Sequence, residues 1–337
     1  MSNRPFIILT ALLAFLLLLS ACGEKGSAPN TASGSSASAE QSESAAASGT
    51  PSASAPTTDS DQQAGLFPKT VAHLKGETTI EAKPARIVTT NFVAAEHLIA
   101  LGIIPYGTAS LNQLGIFKLY DEELNNNRIA DLGTPLDYEA VVNAAPDLII
   151  SFDWDQADYD KLSAIAPTLV LDTTKSTNIF EETFVKLAEA INEQAALDAF
   201  LVKYRETKEE AIAALKTNEF QGKTAIFMMA SEKTNYLFTG INTKVFYDEL
   251  GFKQIPELSE AQAIDLETLR KYDPDVIFVA EDYTNPTGAV EKLQNSAVWK
   301  TLTAVRNNHV YETDTSILGP MARGQQYALE FMRDLEP

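Results

Sequence analysis

The chain has 337 residues and a formal charge of −20, so it repels nucleic acid and anionic surfaces. Its single cysteine excludes disulfides and any cysteine-based metal site. The length fits two domains, and the sequence contains no G-x-S-x-G elbow, no phosphate-binding glycine loop and no H-E-x-x-H pair that would ask for an enzyme.

Near the start Arg4 precedes an apolar run from Phe6 to Leu19, interrupted only by Thr10, too short for a comfortable membrane span but suited to an export signal. Leu19-Ser20-Ala21-Cys22 follows and resembles a bacterial lipobox, with Cys22 as the lipidation site. Removal of residues 1–21 takes Arg4 with it and leaves a charge of −21. Residues 22–65 hold no large apolar side chain and are dominated by Ser and Ala, so they read as a disordered tether reaching roughly 35 Å.

A first α/β lobe is expected over residues 66–177. Gly76–Ile80 reads as a short extended piece and Arg86–Thr90 as the first buried strand. Asn91 opens a helix running to Gly102, and Ile103–Thr108 is the next strand. A loop and helix carrying Gln113, Lys118 and Tyr120 come next. Asp158–Ile165 reads as a helix and Thr168–Leu171 as a strand. Within this lobe the sixteen residues Leu136–Ser151 match Ile264–Val279 without a gap, sharing Asp137/Asp265, Glu139/Glu267, Pro146/Pro274, Asp147/Asp275 and Ile149/Ile277. Each copy reads as an Asp-capped helix, a terminating Pro and a strand buried on both faces. A duplicated unit predicts two lobes of one architecture.

Residues 178–221 form a helical interlobe linker: Phe180, Phe184, Leu187 and Ile191 share one face, and Leu197, Phe200, Leu201, Tyr204, Ala211 and Leu215 form a second stripe, with a break near Asn192. The second lobe, 222–337, has strands at Thr224–Ala230, Tyr236–Phe238 and His309–Glu312. Its helices are expected at Val245–Leu250, in the second repeat copy, near Gln294 and over Gln325–Asp334. The fold class is therefore α/β, two lobes each with a mainly parallel sheet flanked by helices, joined by a long helix.

In order and spacing, K-P-A-R-I-V-T-T near Arg86, A-L-G-I-I-P-Y-G from Ala100, L-G-T-P-L-D-Y-E-A-V with A-P-D-L-I-I, I-D-L-E-T-L with D-P-D-V-I-F-V, and V-W-K-T-L-T-A-V-R-N-N-H-V-Y from Val298 resemble the helix-linked binding proteins of bacterial ABC importers. The family serves ferric siderophores, haem and cobalamin, and the resemblance covers about residues 70–335. It implies a monomeric receptor, lipid-anchored to the outer face of the cell membrane in a Gram-positive-like envelope. Such a receptor binds a ferric siderophore and delivers it to an ABC permease and its ATPase. Iron is then carried within the chelate and no cofactor is required. Glu139 and Glu267 match the acidic positions that dock onto the permease in that family; as first-turn residues they would otherwise only complement helix dipoles. A haem or cobalamin receptor is the alternative on this fold, and an extracytoplasmic enzyme or sensory module the alternative of a different class.

Ligand contacts in open parallel sheets come from loops beyond the carboxyl ends of the strands. Those loops offer Asn91, Phe92, Lys118 and Trp154 in the first lobe, and Ser231, Lys233, Tyr236, Tyr283 and Arg323 in the second. Lys118, Lys233 and Arg323 are too few cations for a tris-catecholate, which favours a hydroxamate or mixed citrate-hydroxamate chelate. His73, His97 and His309 are too scattered for a naked metal ion and read as structural, and Asp153 and Asp155 read as solvated loop residues.

Overall fold

The computed structural model describes residues 66–126, 128–173, 179–218, 220–282 and 287–336. The expected leader, Cys22 and tether lie outside the described residues, as does Tyr283. No helix among the described residues is long and apolar enough to cross a membrane.

Hairpin β1 (Lys69–His73) and β2 (Gly76–Ile80) precedes the first sheet. There follow β3 (Ile87–Thr89), α1 (Phe92–Ala100), β4 (Gly107–Thr108), α2 (Leu111–Leu114), α3 (Asp121–Asn126) and β5 (Ala130–Asp131). The lobe is completed by α4 (Tyr138–Ala144), β6 (Leu148–Phe152), α5 (Tyr159–Ser163) and β7 (Thr168–Leu171). The sheet order is β5-β4-β3-β6-β7, with every pair parallel. The strand expected over Ile103–Thr108 shrinks to its last two residues. Ile103 N–H instead closes the end of α1 by donating to Leu98 O at 2.9 Å, and Pro105 has no N–H to give a ladder.

The second lobe comprises β8 (Ala225–Ala230), β9 (Asn235–Phe238), β10 (Gln262–Ile264), α8 (Leu266–Tyr272), β11 (Val276–Glu281), α9 (Ala289–Gln294), α10 (Thr303–Arg306), β12 (Val310–Glu312) and α11 (Ala322–Arg333). Its order, β10-β9-β8-β11-β12, repeats the first lobe's winding, but β9 runs antiparallel to both of its neighbours, β8 and β10. In place of the helix expected at Val245 stands one π-helical turn, Val245–Glu249.

The repeated residues play matching roles. Asp137 Oδ1 accepts from Glu139 N at 2.9 Å, and Asp265 Oδ1 from Thr268 N at 2.7 Å, each capping the helix behind it. Before each Pro the backbone turns left-handed, with φ 44° at both Ala145 and Asp273. Asp147 then accepts from Ala85 N and Arg86 N at 2.7 and 2.9 Å, and Asp275 from Thr224 N at 2.8 Å. Each aspartate thus pins the chain entering the central strand of its own sheet.

The lobes are joined by α6 (Ile179–Ala190) and α7 (Gln194–Thr217), which bend at Asn192, where φ is 60°. Phe180, Phe184, Leu187, Ile191, Leu197, Tyr204, Ala211 and Leu215 are all buried, in one core that also takes in Phe152, Phe278 and Leu329 from the two lobes. Helix α11 starts three residues earlier than the sequence suggests and packs along α7 and against α1. Its start is held by Glu96 of α1, fully buried: Oε2 accepts from Ala322 N at 2.8 Å and Oε1 from Arg323 N at 2.6 Å. Tyr120 OH donates to Oε1 at 3.1 Å, and His97 Nδ1 lies 2.9 Å from Oε2. An in-chain carboxylate therefore neutralises the positive end of that helix.

Candidate functional site

In both sheets the first strand, β3 or β8, lies between the strand that follows it and one reached by a longer crossover, β6 or β11. Loops diverge at such a switch point and leave a crevice beyond the strand ends. A cleft of about 710 Å³ opens there, within the usual range for ligand sites. The first lobe contributes Ile116, Phe117, Lys118 and Leu119. The second contributes Glu281 and Asp282 at the end of β11, Glu312 to Thr315 at and beyond the end of β12, and Tyr327 of α11.

The charges on these walls are unequal. Glu281 accepts from Thr287 N and Ala289 N at 2.8 Å and from Val290 N at 3.0 Å. Desolvation opposes its ionisation, but these amides overcome it and hold its carboxyl below the usual range. Asp314 caps a 3₁₀ turn through Ser316 N at 2.7 Å. Burial, and then the charges of Asp314 and Glu330, push the Tyr327 phenol up. Glu312 is exposed and makes no side-chain hydrogen bond or ion pair among the described residues. Thr313 Oγ1 is a buried hydroxyl oxygen with no protein partner there.

Of the residues singled out from the sequence, Lys118 stands on the cleft wall, exposed to solvent. Phe92 sits behind it, its ring 6.2 Å from that of Phe117. Asn91 is buried: it caps α1 through Ala94 N and donates to Asp155 Oδ2, both at 2.8 Å. Trp154 is 41% exposed and stands edge-on to Phe152. Tyr236, 44% exposed, lies on β9, and Lys233 is exposed in the turn before it, beyond the half-buried Ser231. Of these described candidates only Lys118 is among the cleft-lining residues, and the Arg323 guanidinium pairs with Glu123, donates to Leu119 O at 3.2 Å and lies over the Tyr120 ring.

Asp153 and Asp155 are not merely solvated. Asp155 Oδ2 gathers Thr90, Asn91, Ser151 and the Phe152 amide, and Asp153 Oδ1 accepts from Thr173 N at 2.9 Å. His97 is held between Glu96 and Thr183, His73 pairs with Thr78, and His309 Nδ1 lies 3.3 Å from Asp275 O. The cleft residues that sequence reasoning missed include Glu281 and Asp282 at the end of β11, Tyr327, and Glu312 to Thr315 at and beyond the end of β12. The strand-end rule applied to β12 as well as to its neighbours would have found Glu312 to Thr315.

The family model for periplasmic binding proteins matches residues 87–317. The chain belongs to that family. It is 30% identical to the iron(3+)-hydroxamate-binding protein YxeB of Bacillus subtilis over 256 residues, 71% of this chain and 76% of the relative. It is 25% identical to the Fe(3+)-citrate-binding protein YfmC of the same organism over 319 residues, 93% of this chain and 90% of the relative. Among solved structures, the triscatecholate siderophore binding protein FeuA of Bacillus subtilis, complexed with ferri-bacillibactin, superposes with a TM-score of 0.65 at 20% identity. That match covers 79% of this chain and 97% of the other. These three relatives take three different chelate chemistries on one fold. Binding proteins of this kind are not enzymes, and the ligand class is a matter for the cleft walls.

Proposed function

We propose that this chain is an extracytoplasmic receptor, anchored through a lipid on Cys22, that binds a ferric siderophore in the interlobe cleft and delivers it to an ABC permease. The observation that carries the reading is the cleft itself. It is open, of a size for a ferric chelate, walled by the stretch between α2 and α3 of the first lobe and by the strand ends of the second, and set in a chain of the periplasmic binding protein family. The named relatives supply the chelate class, and the lipobox supplies the address. Lys118, with Phe92 behind it, and the loops after β11 and β12 form the contact surface. Trp154, Lys233, Tyr236 and Tyr283 extend it, with Asn91 and Arg323 positioning the loops that carry the contacts. The exposed Glu139 and Glu267, at equivalent places in the first turns of α4 and α8, are the permease-docking pair.

Native mass spectrometry of the protein after exposure to an iron-starved culture supernatant tests this. The expected result is a mass increment that contains iron and is lost on reduction and chelation. Trp154 fluorescence should be quenched as the complex forms, while Trp299, buried in the second lobe, should not respond. Capture of an iron-free solute, or a signal lost in Trp299→Phe but kept in Trp154→Phe, would contradict the proposal.

A further inference from the structure

The cleft carries four carboxylates among its described lining residues, Glu281, Asp282, Glu312 and Asp314, against one cation, Lys118. Adding Lys233, on the surface that extends the cleft, and Lys175 would still leave more carboxylates than cations, and Tyr283–Pro286 carry no charge. The guanidinium of Arg323 is no anion receptor either, since it is bound to Glu123 and to the Leu119 carbonyl. An anionic chelate entering such a cleft meets like charge in a partly desolvated space, where repulsion is felt more strongly than in water.

Two of the carboxylates are placed to do the opposite for a cation. Glu312 has no hydrogen bond or ion pair among the described residues. Asp314 uses Oδ1 on Ser316 N, and no described residue bonds its Oδ2. Both follow from the end of β12 on the same wall, two residues apart, with Thr313 and its unpartnered buried hydroxyl between them. A primary ammonium offers three donors and one positive charge, which two nearby carboxylates and a hydroxyl oxygen can satisfy together.

We propose that the cleft selects its ferric chelate by charge, taking complexes of zero or positive net charge and disfavouring polyanionic ones, with Glu312 and Asp314 receiving a cationic arm. This rests on the reading that the cleft holds a ferric chelate at all. It narrows that reading to hydroxamate-type complexes, neutral at the metal centre, and within them to those bearing an ammonium.

The test compares three probes on the full chain purified in detergent, by equilibrium dialysis with iron measured on both sides. The probes are ferrioxamine B, a ferric trihydroxamate with a free ammonium; its N-acetylated form, the same chelate without the charge; and ferric enterobactin, a trianionic tris-catecholate. Ferrioxamine B should bind about three- to fivefold more tightly than the acetylated form, the range of a partly exposed charge pair. Ferric enterobactin should be weakest, by at least about tenfold. The double variant Glu312→Gln/Asp314→Asn should lose the preference for the ammonium, bringing ferrioxamine B and its acetylated form to within about twofold of each other. The amide at 314 can still cap the 3₁₀ turn. Tightest binding of the trianion, or a preference for the ammonium that survives the double substitution, would overturn the charge selection and leave the receptor reading intact. Binding of no ferric chelate would overturn both.

Discussion

Replacing Glu96 with Gln should cost the protein about 2–3 kcal/mol, because it alters the one carboxylate that joins α1 to the start of α11. Each oxygen of Glu96 has two neighbours: Arg323 N and Tyr120 OH on Oε1, Ala322 N and His97 Nδ1 on Oε2. The amide of Gln turns one oxygen into a donor. Whichever way it is oriented, a backbone N–H of α11 then faces another donor in a fully buried position. Tyr120 and His97 can reorient to accept, but the peptide N–H cannot. A buried unsatisfied donor costs about 1–3 kcal/mol, and the remaining bonds lose their charge assistance, roughly another 1 kcal/mol. For a body of this size about 2–4 °C of Tm accompanies each kcal/mol, so thermal denaturation followed by circular dichroism should show a fall of roughly 5–10 °C. Glu123→Gln is the comparator. Its pair with Arg323 is partly exposed, at 21% and 28%, so its loss should cost about 1 kcal/mol or less. A Tm for Glu96→Gln within about 2 °C of the unaltered protein, or a larger effect from Glu123→Gln, would refute the assignment of Glu96 as the clasp.

Glu139→Ala combined with Glu267→Ala should leave chelate affinity within about threefold and sharply reduce import, since surface charges far from a cleft contribute little to it. Glu267 already forms an exposed pair with Arg270 at 3.1 Å, so docking there must displace a weak partner, and normal import by the double variant would remove both residues from the interface. Closure on a chelate should be a modest rotation, because bending α7 breaks its hydrogen-bond ladder; a large change in solution scattering on loading would contradict this. The folded-state carboxyl of Glu281 lies below its ordinary 4.5, so its contribution to stability is present above that pH and is lost as pH falls through the lower folded value. Glu281→Gln should therefore flatten the acid limb of the Tm-against-pH curve, and an unchanged limb would show that the amides around it do not depend on its charge.

The duplicated stretch was legible because local chemistry alone dictates it: an Asp cap, a Pro stop and a β-branched run mean the same wherever they occur. The buried faces of α6 and α7 were equally legible, since Phe180, Phe184 and Leu187 fall at helical spacing. What the sequence hid depends on distance along the chain. Nothing local reveals that Glu96 meets Arg323 and Ala322 more than two hundred residues later, so Arg323 read as a free cation and its ion pair with Glu123 was invisible. The roles of Asp147 and Asp275 were hidden too, because their partners, Arg86 and Thr224, lie at the entries to β3 and β8, far along the chain. The strand His309–Glu312 was legible, but which strand-end loops face the other lobe depends on how the two lobes are set against each other, and no local pattern reveals that the residues after β12 line the cleft.

Because the last helix closes over surfaces built by the first third of the chain, the two lobes are not separable modules. Residues 66–221 made alone would leave Ala95, Ile99 and Phe117 without the Met321 that packs on them, and Glu96 without the amides it caps. During synthesis that seam stays open until α11, Ala322–Arg333, has joined it. Truncation at the carboxyl end should therefore be felt first at the opposite end of the sequence, as protease sensitivity around α1.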